Sequence, residues 1–331
     1  MMAESAKQSG GLPPITLATT MLNERPMLSA FLASLEAQTT WPDEIVVVDG
    51  GSSDGTVELW NEWSHGLAIK VRIIVAEGAN ISKGRNTAIA EASNEVIVVT
   101  DAGTVLDPAW LGELVGALGP DVDVISGFFE ADGETFLQKS IAYAITPNAS
   151  EIDPDRFLPS SRSICFRRSS WERAGGYPEW LDYCEDLVFD LAMLNSGSRF
   201  AFVPGAIVRW SARSTYRAFA KQYYRYARGD GKAGLWSKRH AARYVAYIFA
   251  VLVVGTRFGG LIGVAVLVLG FLAYARRFLW RIVVSRRKFK RLLPVALLLT
   301  LVTVVVGDLA KMAGYPVGLR WRRKNMVASD A

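Results

Sequence analysis

Apolar runs and helical periodicities alternate through the first part of the chain. Residues Ile15 to Thr20 form a short β-rich run, followed by the polar turn Leu22-Asn23-Glu24-Arg25 and by Pro26, which suits a first helical turn. Leu28, Phe31, Leu32 and Leu35 then recur at helical spacing, and Glu44 to Asp49 (EIVVVD) reads as a parallel strand buried on both faces. Two strands joined through a helix make a βαβ unit. The loop Gly50-Gly51-Ser52-Ser53-Asp54-Gly55 leads into a helix through Trp60. A third strand is expected at Val71 to Ala76, a helix at Asn86 to Ala92 and a fourth strand at Glu95 to Thr100. This alternation predicts an α/β fold with a mostly parallel, doubly wound sheet, and it puts Asp49 and Asp101 at the carboxyl ends of strands, where such sheets bind ligands.

From Asp121 the order loosens. Strands are expected at Val122 to Gly127, Ser161 to Phe166 and Phe200 to Val208. Helices are expected at Phe136 to Ile145, at Trp171 to Ala174 before Gly175-Gly176, and over Asp186 to Leu194. Asp107-Pro108 fits the N-cap and first residue of the helix carrying Trp110 and Leu111. After a polar helix at Thr215 to Arg228 the chain is strongly apolar from Tyr244 to Thr256 and from Leu261 to Ala275, with Arg257-Phe258-Gly259-Gly260 between. As one helix this stretch would be about 48 Å long against a hydrocarbon core of about 30 Å, so a hairpin turning at Gly259-Gly260 fits better. A third apolar run, Leu292 to Val306, ends at Gly307-Asp308 and either crosses the bilayer, re-enters it or lies in its interface.

Charge sharpens this division. The chain has 331 residues and a formal net charge of +5, and its tail concentrates Arg and Lys between Arg276 and Arg291 and from Arg320 to Lys324. Basic clusters flanking apolar spans suit anionic lipid headgroups, and without interleaved aromatics they argue against nucleic acid as a partner. By the positive-inside tendency both clusters belong in the cytoplasm. The N-terminus lacks the apolar core of a signal peptide, so the soluble part is expected on the cytoplasmic side of the cell's inner membrane, anchored by a hairpin or several passes. Two cysteines without CxxC spacing and only two histidines give little to a disulfide framework, a His-rich metal site or a Ser/His/Asp triad. The expected organisation is a flexible N-terminus at 1–14, an α/β catalytic domain at 15–213 and an interfacial helix at 214–239. Hydrophobic membrane segments follow at 240–315, with the hairpin at about 241–275 and the third run at 292–306, and a basic cytoplasmic tail closes the chain at 316–331.

Six segments carry the candidate chemistry: TTMLNE at 19 to 24, VVVDGGSSDGT at 46 to 56, GRNTAIAEA at 84 to 92, VVTDAG at 98 to 103, GGYPEWLDYCED at 175 to 186, and QYYRYARG at 222 to 229. In their order and spacing the chain resembles the inverting GT-A glycosyltransferases of family 2 over roughly residues 15 to 230. The run at 214 to 235 is especially similar to the bacterial exopolysaccharide group. The resemblance implies a Rossmann-like catalytic domain followed by C-terminal membrane helices, a nucleotide-sugar donor with a UDP-sugar favoured, and a lipid-linked or membrane-proximal glycan acceptor.

Carried onto this chain, Thr20, Glu24, Asp49, Arg85 and Asp101 would bind the donor. Carboxylates accept hydrogen bonds from a nucleobase imide and ribose hydroxyls, and an Arg fork suits ribose or phosphate. Asp101 matches the first acid of the DxD signature, which implies Mg²⁺ or Mn²⁺, but Gly103 stands where the second acid belongs. Glu185 and Asp186 match the catalytic ED pair, with Asp186 the base that takes the acceptor's proton and Glu185 the like charge that raises its pKa. Gln222, Arg225 and Tyr226 match a QxxRW-like element with Tyr last, placing Arg225 on the diphosphate and Tyr226 against a sugar. A processive polysaccharide synthase and a non-catalytic sugar-nucleotide-binding scaffold are the rival readings.

Overall fold

The computed structural model describes residues 11–256 and 259–325. The first ten residues of the expected flexible N-terminus, Arg257-Phe258 of the expected hairpin turn, and residues 326–331 of the expected tail lie outside the described residues. In chain order the elements are β1 (Ile15–Met21), α1 (Arg25–Glu36), β2 (Glu44–Asp49), α2 (Thr56–Ser64), β3 (Lys70–Val75), α3 (Ile81–Ala90), β4 (Val96–Asp101), β5 (Val105–Leu106), α4 (Trp110–Gly116), β6 (Val124–Asp132), α5 (Phe136–Ile145), β7 (Ile164–Arg167), α6 (Arg168–Ala174), α7 (Glu185–Asn195), β8 (Phe200–Ser211), α8 (Tyr216–Ala233), α9 (Ser237–Gly255), α10 (Gly260–Val284), α11 (Arg286–Phe289) and α12 (Leu293–Asn325). They form two compact units, residues 1–130 with 149–210, and residues 131–148 with 211–331.

The first unit is built on an eight-stranded sheet of order β3-β2-β1-β4-β7-β6-β8-β5. β3, β2, β1 and β4 run parallel, as their apolar sequences require, with β2 wholly buried. One face packs Leu28, Phe31 and Leu35 of α1 with Trp60 and Trp110, and the other packs Ala88 and Ile89 of α3 with Phe189 and Met193 of α7. At β7 the sheet turns antiparallel, pairing with both β4 and β6. Sequence pattern could not announce this reversal, because β7 is short and buried in either direction. Buried Glu44 is held by Thr16, Ser93 and Arg72. Burial works to raise its carboxyl, but the Ser93 amide, Arg72 and the Thr16 and Ser93 hydroxyls outweigh it and bring it to about 2.

Several boundaries differ from expectation, α3 starting at Ile81 where the helix was expected from Asn86, and β6 running Val124–Asp132 where the strand was expected at Val122 to Gly127. α4 begins at Trp110 with Ala109 at its N-cap, so Asp107-Pro108 precedes the helix. Asp107 instead forms a turn, its side chain accepting from the Ala109 amide and its carbonyl from the Trp110 amide, while Arg209 pairs with its carboxylate. Residues 131–148, expected inside one continuous catalytic domain, belong to the second unit. Phe136 and Tyr143 of α5 meet Phe289 edge-on, and Arg281 caps the end of α5 by donating to the carbonyls of Ala144 and Ile145.

The second unit is helical. α8 starts at Thr215, whose hydroxyl accepts from the Ala218 amide, and ends at Gly234 with a left-handed backbone. α10, at Gly260–Val284, and the stretch Arg286–Asn325 are long and apolar enough to cross a membrane. Leu261, Ile262, Leu269 and Trp280 of α10 and Val245 and Val251 of α9 are exposed. Past the end of the apolar run at Gly307-Asp308, and into the tail expected as separate from 316, α12 continues unbroken through Pro316 to Asn325. Two contacts explain the continuity. Gly314 and Gly318 let α12 lie directly on the backbone of α8 at Tyr224 and Arg228, and Asp308 is satisfied by Arg243 at 2.7 Å and the hydroxyls of Tyr247 and Tyr274.

Candidate active site

The parallel half of the sheet brings its acidic residues to one edge. Met21 pairs with Asp49 and Thr20 with Asp101, so both carboxylates leave the carboxyl ends of strands that flank β1. Asp49 is fully buried and organises the loop after β2. It accepts from the amides of Gly51 and Ser52 at 2.8 and 2.7 Å and from the Ser52 hydroxyl at 2.5 Å. That loop is tied to the one after β1: the Asn23 amide donates to Ser52, the Ser53 amide to Asn23, and the Glu24 amide to Thr56.

α3 crosses β1 closely because Gly84 has no side chain: a Cβ there would come within 2.8 Å of the Thr20 methyl. Thr20 is therefore a packing contact for α3, and the close approach carries Arg85 to the strand ends. The Arg85 side chain is 3% exposed, and its guanidinium donates to Asp101 at 2.7 Å and to Glu185 at 2.8 Å. It also lies over the Tyr177 ring at 5.3 Å, while the Tyr177 hydroxyl pairs with Ser161. Both terminal nitrogens thus hold protein carboxylates in place, one on β4 and one on α7.

The same helix fixes the loop that delivers Glu185 and Asp186. Asn86 donates to the Tyr177 carbonyl and to Glu179, and accepts from the Tyr177 amide and the Trp171 indole. Asn80 and Ser82 donate to the carbonyls of Glu179 and Leu181. Segments 84–92 and 175–186, separate in sequence, are one hydrogen-bonded assembly. Cys184 ends the loop at φ 72°, a left-handed conformation costly for a residue with a side chain, and α7 starts on the next residue.

At this helix start the like-charge effect falls on Glu185. Burial first, and Asp186 second, push its carboxyl up to about 7 against the opposing pull of Arg85. One turn on, Asp190 is 1% exposed, and both its oxygens lack a hydrogen-bond partner among the described residues. Burial, then Asp186, raise its carboxyl well above the ordinary range. Asp190 was missed in the sequence because it falls on the apolar face of a helical pattern. Arg162, also missed, reaches the second oxygen of Asp101 at 3.5 Å and lies over the Trp210 ring. An Arg on an irregular loop gives no sequence signal for such a pairing.

In the second unit Gln222 donates to the Tyr226 hydroxyl at 2.7 Å, so two members of the QxxRY element are fixed to each other one helical turn apart. Tyr223, between them, contacts Phe219 and Tyr226 by its ring and lies under Lys311.

Among the described residues no cluster of three or more His, Cys, Asp or Glu side chains forms a preformed metal cage. Mg²⁺ and Mn²⁺ on a nucleotide need fewer, since phosphate oxygens and water complete the shell. Asp101 is 22% exposed at a strand end, with one oxygen bonded to Arg85 and the other 3.5 Å from Arg162.

Residues 16–173 match the family model described as Glycosyl transferase family 2, and residues 96–307 match that of Glycosyl transferase family group 2. Among curated proteins the chain is similar to the O-antigen chain rhamnosyltransferase RfbN of Salmonella typhimurium, 25% identical over 63% of this chain and 70% of that protein. It is also similar to the glycosyltransferase AglE of Haloferax volcanii, 24% identical over 68% of this chain and 75% of that one. An N-acetylglucosaminyltransferase of Rhizobium meliloti is 27% identical over 66% of this chain, which spans 55% of that relative's length. Among solved structures, the mannosyltransferase PcManGT of Pyrobaculum calidifontis, determined with GDP-Man and Mn²⁺, shares the fold with a TM-score of 0.54. Its identity is 18%, over 98% of this chain and 91% of that one.

Proposed function

The chain belongs to the family 2 glycosyltransferases, and from that premise we propose that it transfers one sugar, with inversion, from a nucleoside-diphosphate sugar to a lipid-linked or membrane-proximal glycan of the cell envelope. The observation that carries this reading is the Arg85 bridge. One guanidinium joins the strand-end carboxylate Asp101 to Glu185, so the donor-side acid and the start of α7 share an edge. Asp186, next along α7, is the base. As the acceptor hydroxyl attacks the anomeric carbon, its proton passes to Asp186 and the bond to the diphosphate breaks. Glu185 and Arg85 keep that helix start in place.

Glu24 and Asp49 serve the donor by shaping the two loops beyond β1 and β2, and Thr20 seats the helix that bears Arg85. A divalent cation, Mg²⁺ or Mn²⁺, would offset charge on the leaving diphosphate, with Asp101 as its protein ligand. In the helical unit Gln222 orients Tyr226, whose ring can stack on a sugar. The exposed apolar faces of α9 and α10 support attachment to the cytoplasmic membrane, and the O-antigen relative supports an envelope glycan as product. The test is a screen of radiolabelled UDP-, GDP- and dTDP-sugars against extracted membrane lipids, with and without Mg²⁺ or Mn²⁺. Label moving into a lipid fraction supports the reading, and label that never leaves the nucleotide on any acceptor pool contradicts it.

A further inference from the structure

The helical unit holds one of the chain's two histidines in a place the transfer reaction does not use. His240 lies in the first turn of α9, 3% exposed, and with Val253 it is one of two buried residues on that helix. The N-cap of α9, Trp236, gives this turn no side-chain hydrogen bond. The imidazole fastens it instead. Its ring stacks on Tyr315 of α12, with centroids 3.8 Å apart and planes 10° from parallel. Nε2 stands 3.2 Å from the Asp230 carboxylate on α8, and Nδ1 stands 3.2 Å from the Arg243 guanidinium one turn on. Arg243 in turn donates from Nε to Asp308 of α12 at 2.7 Å.

These contacts fix where the ring proton sits. A guanidinium only donates, so Nδ1 must accept from Arg243, and the single proton of the neutral ring lies on Nε2, donated to Asp230. A second proton has to go to Nδ1, where donor meets donor and cation meets cation in a place nearly shut off from water. Arg243 cannot step aside. Asp308, its side chain 3% exposed, would lose that ion pair and keep the hydroxyls of Tyr247 and Tyr274. The neighbouring charges do not help: Arg239 on α9 and Lys311 on α12 are cations, over the rings of Trp236 and Tyr223, and Asp230, its side chain 20% exposed, is partly screened by water. The ring is therefore the part that moves. We propose that His240 is a proton-operated clasp: neutral, it ties the start of α9 to α8 and α12, and doubly protonated it lets that turn go.

The experiment uses the full chain in detergent with ¹⁵N-labelled histidine. Long-range ¹H–¹⁵N correlation reads both ring nitrogens, and amide hydrogen exchange, expressed as protection factors, follows the helices. His65→Gln removes the exposed second histidine and assigns the signal. At pH 8 His240 should carry hydrogen on Nε2 and none on Nδ1. As the pH is lowered and the same spectrum reports the doubly protonated ring, residues 237–247 should lose roughly tenfold or more in protection, the worth of one hydrogen bond to a charged group, while α8 and α12 keep theirs. His240→Phe keeps a ring against Tyr315 but removes both hydrogen bonds, so the same residues should be poorly protected at every pH. Hydrogen on Nδ1 at pH 8, protection in the natural protein that ignores ring protonation, or a pH-dependent loss of equal size in His240→Phe would each overturn the clasp. If His240→Phe does not fold, the ring spectrum and the exchange of the natural protein decide the question by themselves.

Discussion

Replacing Arg85 by Met should destabilise the sheet unit, and the loss should depend on pH. The substitution keeps most of the apolar stem but removes the guanidinium that holds Asp101 at 2.7 Å and Glu185 at 2.8 Å from a position only 3% exposed. Removing one partner of a buried ion pair costs about 3–5 kcal/mol, because the charges left behind are buried without compensation. For a unit of this size each kcal/mol moves the melting temperature by about 2–4 °C, which gives a loss of roughly 6–20 °C at pH 8. At pH 5.5 the loss should be clearly smaller, because Glu185, with a carboxyl already pushed up to about 7 by burial and by Asp186, takes up a proton and is no longer a stranded charge. The assay is thermal unfolding of the full chain in detergent, followed by tryptophan fluorescence, with Trp60 and Trp110 buried in the sheet unit as reporters. A loss under about 2 °C, or one of equal size at both pH values, would refute the bridge as described.

Two further outcomes follow from the same geometry. Since the folded-state carboxyl of Glu185 lies above the ordinary range, its contribution to stability is complete below pH 4 and fades as pH rises through about 7; Glu185→Gln should flatten the stability profile between pH 5 and 8, measured by the same melts. Gly318→Val should destabilise the helical unit by about 1–3 kcal/mol or more, seen as loss of helical circular dichroism at lower temperature, because the new side chain runs into the Arg228 carbonyl on α8.

Much of the parallel half of the fold was legible. Runs such as Glu44 to Asp49 and Val96 to Thr100 are long, apolar and β-branched, and only a strand covered on both faces uses them. The placement of Asp49 and Asp101 followed, because an acid directly after such a run must lie at the strand's end. What stayed hidden depends on contacts between distant segments. The antiparallel turn at β7, the transfer of α5 to the helical unit through Phe289 and Arg281, and the grip of Asn86 on the 175–181 loop all join residues far apart in sequence. Arg85 read as a donor-binding fork, and its structural commitment to two acids appears only once α3 is seated on Gly84.

Asp186→Asn is the decisive variant for Asp186 as the base of an inverting transfer from a nucleotide sugar. Asparagine keeps the size of the side chain and can still accept the Leu187 amide bond seen at 2.9 Å, so the start of α7 should hold. With the donor and lipid acceptor identified in the screen, initial transfer rates of the natural and variant proteins are compared at pH 7.5, beside nucleotide affinity. The expected rate is lower by about 10²–10⁴-fold, the usual worth of a general base, with nucleotide affinity unchanged. Transfer by the variant at the natural rate would contradict it.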